Sequence, residues 1–197
     1  MRRNARVMLS AVAIALAGVV LTPLSAHAQT VSLAPPPGNE LQFVAHVLTG
    51  TQNYTCLASG AWSAATPEAT LADDEGEPII KHFGTPAVPG PGVVPHWRSL
   101  EDGSEVRGMV LHARTVDTNA IPWLLLQAFP VTPGDLSNIT FIQRKNTTGG
   151  LAPATPCGTV GLIKKVRYTA DYFFWAAAEE GHDDGHHGEA GGEHHGS

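Results

Sequence analysis

Apolar positions along this chain come in short runs, each bounded by Gly, Pro, Asn or Asp. The pattern predicts strands at Leu41–Leu48, Thr51–Leu57, Ala69–Asp73, Ile79–Phe83, Val106–Arg114, Trp123–Val131, Asn138–Lys145 and Val166–Trp175. The clearest period of two is in the last: Val166, Tyr168, Ala170, Tyr172 and Phe174 alternate with Arg167, Thr169, Asp171 and Phe173. Ile139 to Gln143 alternates only partly. Trp123-Leu124-Leu125-Leu126 is apolar at both positions of the repeat, which predicts a central strand covered on both sides. No stretch carries a helical stripe of useful length, and there is no internal repeat. Gly84 to Pro95, with Pro86, Pro89, Pro91 and Pro95, reads as a loop. Many short strands with Gly/Pro turns predict an all-β fold, an antiparallel sandwich or barrel, as a single domain over residues 41–178.

The two ends break this pattern. Arg2, Arg3 and Arg6 precede an uncharged apolar run from Val7 to Leu24, which closes on Ser25-Ala26-His27-Ala28. That is the layout of a secretory signal peptide, residues 1–28, cleaved after Ala28. The competing reading is an uncleaved anchor, since the run is near the ~18 residues needed to span. Pro23 and the Ala-His-Ala site favour cleavage. The Arg-Arg pair lacks the continuation expected of a twin-arginine signal, and no lipid-attachment cysteine follows. No second long apolar stretch occurs, so the mature chain is expected to be exported, periplasmic or extracellular, without stable membrane insertion. Residues 29–40 form a polar leader through Pro35-Pro36-Pro37-Gly38, expected to be extended. From Glu179 to Ser197 the chain is almost wholly Gly, His, Asp and Glu and cannot bury enough to fold, so disorder is expected there.

Charge narrows the partners. The chain holds 12 basic and 18 acidic residues. Six of the acids lie in the tail, so the body is only mildly negative, with no electrostatic footprint for nucleic acid or an anionic membrane. Two cysteines, Cys56 and Cys157, read as a disulfide in an exported chain. Closing a loop of roughly 100 residues is worth about 4–5 kcal/mol in the chain-entropy model. The alternative, a redox or metal-thiolate pair, lacks a Cys-x-x-Cys.

Five segments, taken in order, resemble a known family. They are Gly50-Thr51-Gln52-Asn53-Tyr54-Thr55-Cys56, Asp102-Gly103-Ser104 with Val106 and Gly108, Ile121-Pro122-Trp123-Leu124-Leu125, Ile139-Thr140-Phe141-Ile142-Gln143-Arg144 leading into Thr148-Gly149-Gly150, and Tyr168-Thr169-Ala170-Asp171-Tyr172-Phe173-Phe174. Over roughly Leu33 to Trp175 the chain resembles the secreted bacterial and fungal domain-of-unknown-function family number 3455. The resemblance implies an exported single domain with a paired cysteine, and carries over no activity, cofactor or catalytic residue. The histidine tail departs from the family pattern. Some relatives bear a dehydrogenase-like label, but this chain has neither a Gly-x-Gly-x-x-Gly after a strand nor a βαβ rhythm. Gly-x-Ser-x-Gly, Walker and His-Glu-x-x-His motifs are also missing.

Candidate chemistry is therefore sparse. The body histidines His46, His82, His96 and His112 show no ligand spacing. Gln52, Asn53, Gln143, Arg144 and Asp171 would line a cleft, or else tie loops to a β core. Of the tryptophans, Trp123 reads as core. Trp97, between His96 and Arg98 after the Pro/Gly loop, reads as an exposed sugar-stacking candidate. In the tail, His182, His186, His187, His194 and His195 stand among carboxylates and would coordinate Cu, Zn or Ni. Two functions compete. One is a non-enzymatic binding module for a glycan or other envelope component, with Trp97 and Gln143 at its surface and divalent metal on the tail. The other is an extracytoplasmic hydrolase or isomerase whose site assembles in space from His82, Arg144 and Asp171.

Overall fold

The structure is a computed structural model and describes residues 32–179. Eight strands follow one another: β1 (Asn39–Thr55), β2 (Thr66–Ala72), β3 (Pro78–Pro86), β4 (Val93–Ser99), β5 (Glu105–Arg114), β6 (Trp123–Thr132), β7 (Ile139–Gly149) and β8 (Ile163–Ala177). Each pairs antiparallel with the next, and β8 returns to β1, so the sheet closes into a barrel in sequence order. No helix occurs among the described residues. Closure removes the exposed strand edges that an open sheet would leave. The β1–β8 ladder makes the fold a barrel, where the sequence pattern alone allowed a sandwich or a barrel.

Alternation sends every second side chain inward. One inner row crosses the wall as Ala69, His82, Trp97 and Val106. Others run through Leu126, Ile142, Phe174 and Phe43, and through Leu124, Arg144, Tyr172 and Ala45. At mid-barrel Leu71, Val106, Leu126, Ile142 and Phe174 are fully buried, and the Phe43 and Phe174 rings stack at 4.4 Å. Eight strands enclose just enough space for side chains to fill, or for one small ligand at a mouth. Here the middle is filled.

Three elements differ from the sequence expectation. Leu41–Leu48 and Thr51–Leu57 fuse into the 17-residue β1, whose register shifts between Val47 and Thr49 keep both halves in the wall. The proline-rich stretch conceals β4: Val93 and Pro95 belong to a strand paired with β3 through Gly84↔Pro95 and Pro86↔Val93. Proline is tolerated there because β4 shares only His96↔Arg107, Trp97↔Val106 and Arg98↔Glu105 with β5, leaving Pro95 outside that ladder. The run Trp123–Leu126 is covered on both sides at Leu125 and Leu126, but Trp123 is half-buried on the outer face under Arg114, not core.

The leader does more than enter the fold. Leu33 is buried, and its carbonyl accepts the Gln143 side-chain N–H on the outer face of β7. Gln143 Oε1 in turn accepts the Trp175 indole N–H at 3.0 Å. The Cys56–Cys157 disulfide is formed, with a sequence separation of 101. It fastens the β7–β8 connection to the end of β1, helped by Cys157 N–H to the Gly60 carbonyl and Trp62 indole to the Thr155 carbonyl. At the opposite end Asp102-Gly103-Ser104 is a lock. The Asp102 carboxylate accepts the Ser104 hydroxyl and the Asp135 and Ser104 amides, which together hold its pKa well below the usual carboxylate range.

Candidate functional site

The barrel interior opens into a cavity of about 480 Å³ at the end where β1, β3, β5 and β7 finish. That is within the usual range for a small-molecule pocket. Its floor is the inward row of β3, β4 and β8, namely His82, Trp97 and Tyr172, with Arg144 and Gln52 on the walls. Ile121–Pro122, Leu151–Ala152 and Ser63–Ala65 form the rim. Four of the five resemblance segments therefore converge here, while Asp102-Gly103-Ser104 sits at the other end beside a second cavity of about 540 Å³.

Local geometry explains the convergence. Gly149 and Gly150 both have positive φ, and a Cβ on Gly150 would lie 2.9 Å from the Tyr168 Cβ. This close approach brings the Gly150 carbonyl within 2.6 Å of the Tyr54 hydroxyl and ties Ile121 N–H to the Gly149 carbonyl. Arg144 reaches across from β7, donating from Nε and Nη2 to the Pro122 carbonyl at 3.1 and 2.9 Å. Two of its five N–H groups are thereby used.

The floor is aromatic and uncharged. His82 is 2 % exposed and stacks on Trp97, with ring centroids 4.6 Å apart and planes at 10°. Burial is the main cause that pushes its pKa down to about 3, against the bond it makes to the His96 carbonyl, while the Arg144 charge pushes the same way. Since a carbonyl only accepts, the His82 Nδ1 at 2.8 Å from it carries the proton and Nε2 keeps the lone pair. Burial also raises Tyr54 and Tyr168, with Arg144 opposing both. Tyr168 and Tyr172 hydroxyls meet at 3.3 Å.

Among the described residues, two buried side-chain polar atoms have no partner: Gln52 Nε2 and Trp97 Nε1. Both residues line this cavity. Each orphan donor costs about 1–3 kcal/mol of desolvation that no described residue offsets. Buried unpaired polar groups that share one cavity make it the candidate site.

The residues singled out in the sequence separate cleanly. His82 and Arg144 share the cavity, whereas Asp171 faces outward. It accepts from His46 Nδ1 at 2.7 Å and from Asn146 at 2.7 Å. Trp97, expected on the surface, is 1 % exposed inside the barrel, because Pro95 does not break the strand and position 97 falls on the inner parity. Gln143, the other expected surface residue, is 1 % exposed beneath the leader. His46, His96 and His112 lie on the outer face; His96 and Arg98 share the buried Glu105 carboxylate at 2.7 and 2.6 Å. No group of three metal-ligating side chains forms among the described residues. His182, His186, His187, His194 and His195 lie outside them. Gln52 and Arg144, read in the sequence as lining a cleft or tying loops to the core, do line the cavity, but Tyr172 and Trp97 needed the barrel's closure to meet.

No curated protein and no solved structure matches this chain. A family model does, over residues 36–176, and its description is Protein of unknown function (DUF3455). The chain belongs to that family.

Proposed function

We propose that this protein is an exported, non-enzymatic binding barrel that takes one small molecule into the cavity at its β7–β8 end, and that its histidine-rich tail coordinates divalent copper, zinc or nickel. The pair of buried donors without protein partners, Gln52 Nε2 and Trp97 Nε1, carries the cavity reading. Export is supported by the disulfide, which persists in oxidising compartments, and by the signal-like residues 1–28. The tail reading rests on imidazole chemistry alone. An external glycan loses its platform, since the Trp97 face is stacked on His82 inside the barrel.

The enzyme alternative keeps two of its three residues together but is weakened in two ways. Asp171 is on the far side of the wall, so no carboxylate orients His82. A histidine whose pKa is about 3 is also a feeble base at neutral pH, where a general base works best near the ambient value. A thermal-shift screen of small metabolites tests the proposal. A ligand at 100 times its Kd adds about 2.7 kcal/mol, or about 5–10 °C in Tm for a domain of this size. The expected result is a stabilising ligand recovered unchanged, with the shift abolished by Leu124→Trp, which fills the cavity. Turnover of any hit that depends on His82 would replace binding with catalysis.

A further inference from the structure

Resting on that cavity reading, we infer that the ligand is a carboxylate with an apolar body, its charged end held by Arg144 and by the Gln52 and Trp97 side-chain N–H donors. Three observations converge. Arg144 is half-buried at the cavity wall, and among the described residues no acidic side chain lies in the lining or pairs with it. Among the described residues its side-chain bonds are only to the Pro122 carbonyl, so three N–H groups remain for a guest. Its charge is felt inside the barrel, where it acts on His82, Tyr54 and Tyr168.

Second, the two orphan polar atoms are both donors, the sign that complements an oxyanion. His82 adds no charge, so the cavity carries one positive charge in all. One guanidinium neutralises a monoanion and leaves a phosphate dianion half unpaired. Third, the remaining walls are apolar: Val93, Pro95, Val110, Leu124, Leu126 and Leu151. These suit a hydrocarbon or aromatic body and reject a polyhydroxylated one, whose hydroxyls would be buried without partners. A chain with formal charge −6 thus keeps a positive, apolar pocket within it. β4 and β5 part beyond their three pairs, and Val93, Pro95 and Val110 also border a depression on the outside of this seam, next to where an apolar body would lie.

Titration calorimetry of the protein at pH 7.5 with decanoate and decyltrimethylammonium below their critical micelle concentrations, and with decanol below its solubility limit, tests this. Decanoate should bind about tenfold or more tighter than decanol, and the cation should not bind. Arg144→Met should bring decanoate down to the affinity of decanol, and Arg144→Lys should restore part of the difference. Trp97→Phe keeps the ring and removes only the donor. It should weaken decanoate by roughly three- to tenfold while leaving decanol unchanged, and it serves even if the Arg144 variants fail to fold. Equal binding of decanoate and decanol by the native protein overturns the anion inference and leaves the cavity reading standing. Failure of all three probes to bind sinks the cavity reading itself.

Discussion

Gly108→Ala probes whether Trp97 truly fills the barrel. Gly108 is on the inner face of β5, and a Cβ there would lie 2.8 Å from the Trp97 Cζ3, 3.0 Å from Leu126 Cδ2 and 3.1 Å from Trp97 Cη2. The indole cannot slide away freely, because its face rests on His82 at 4.6 Å and its edge meets Phe174 and Tyr172. Overpacking of this kind costs about 1–3 kcal/mol. The alanine also removes freedom from the unfolded chain, an offset of about 0.4–1 kcal/mol. A net loss of about 1–2 kcal/mol follows, which lowers Tm by about 2–8 °C. Denaturant unfolding of a double-mutant cycle reads the coupling directly. Gly108→Ala should cost nothing further in Trp97→Leu, a coupling of about 1–2 kcal/mol. Additive costs, or a neutral Gly108→Ala in the native background, would refute the placement of Trp97 against Gly108.

Other consequences can be checked separately. The protein isolated without reductant should weigh two protons less than its reduced form, and Cys157→Ser should cost about 2–4 kcal/mol in denaturant unfolding. Two free thiols in fresh material would contradict this. Hydrogen bonds to Asp171 first, and then Asp74, raise the pKa of His46 above its ordinary value. That stabilisation is complete below the unfolded value near 6.5 and is lost as pH rises through the folded one, so native Tm should fall across that window relative to His46→Gln. Parallel Tm curves would show that the pairs carry no stability. A chain ending at Ala178 should keep its melting temperature and lose most copper and zinc binding in calorimetry, with copper above zinc and binding weakened below pH ~6. Equally tight metal binding by the shortened chain would remove the tail from the account.

How much of this was legible in the sequence depended on how local the signal was. β8 announced itself because Val166 to Phe174 alternates, and its parity put Tyr168, Tyr172 and Phe174 inside, where they are. The disulfide followed from the cysteine count and the compartment expected from residues 1–28. β4 was hidden because prolines that punctuate loops also occur where a strand has left its neighbour, and strand pairing is invisible in one dimension. Reading Val93, Pro95, Trp97 and Ser99 as one parity would have turned Trp97 inward. One residue of the expected catalytic set, Asp171, was misplaced. His82, Arg144 and Asp171 all lie on strands, but the alternation that turns Tyr172 inward opposite Arg144 turns Asp171 outward, against His46. The orphan donors had no sequence signal, since satisfaction is a property of neighbours.

Trp97 Nε1–H is unpaired among the described residues, and indole NMR of nitrogen-15-labelled protein reads whether a guest in the cavity supplies its acceptor. The chain has four tryptophans. The Trp62 and Trp175 indoles already donate to Thr155 and Gln143, and Trp123 lies on the outer face under Arg114. On titration with decanoate the indole cross-peak that Trp97→Phe removes should move downfield as it gains an acceptor, while the other three stay in place. A Trp97 cross-peak that stays fixed at saturating decanoate, with Trp62, Trp123 or Trp175 moving instead, would contradict the account.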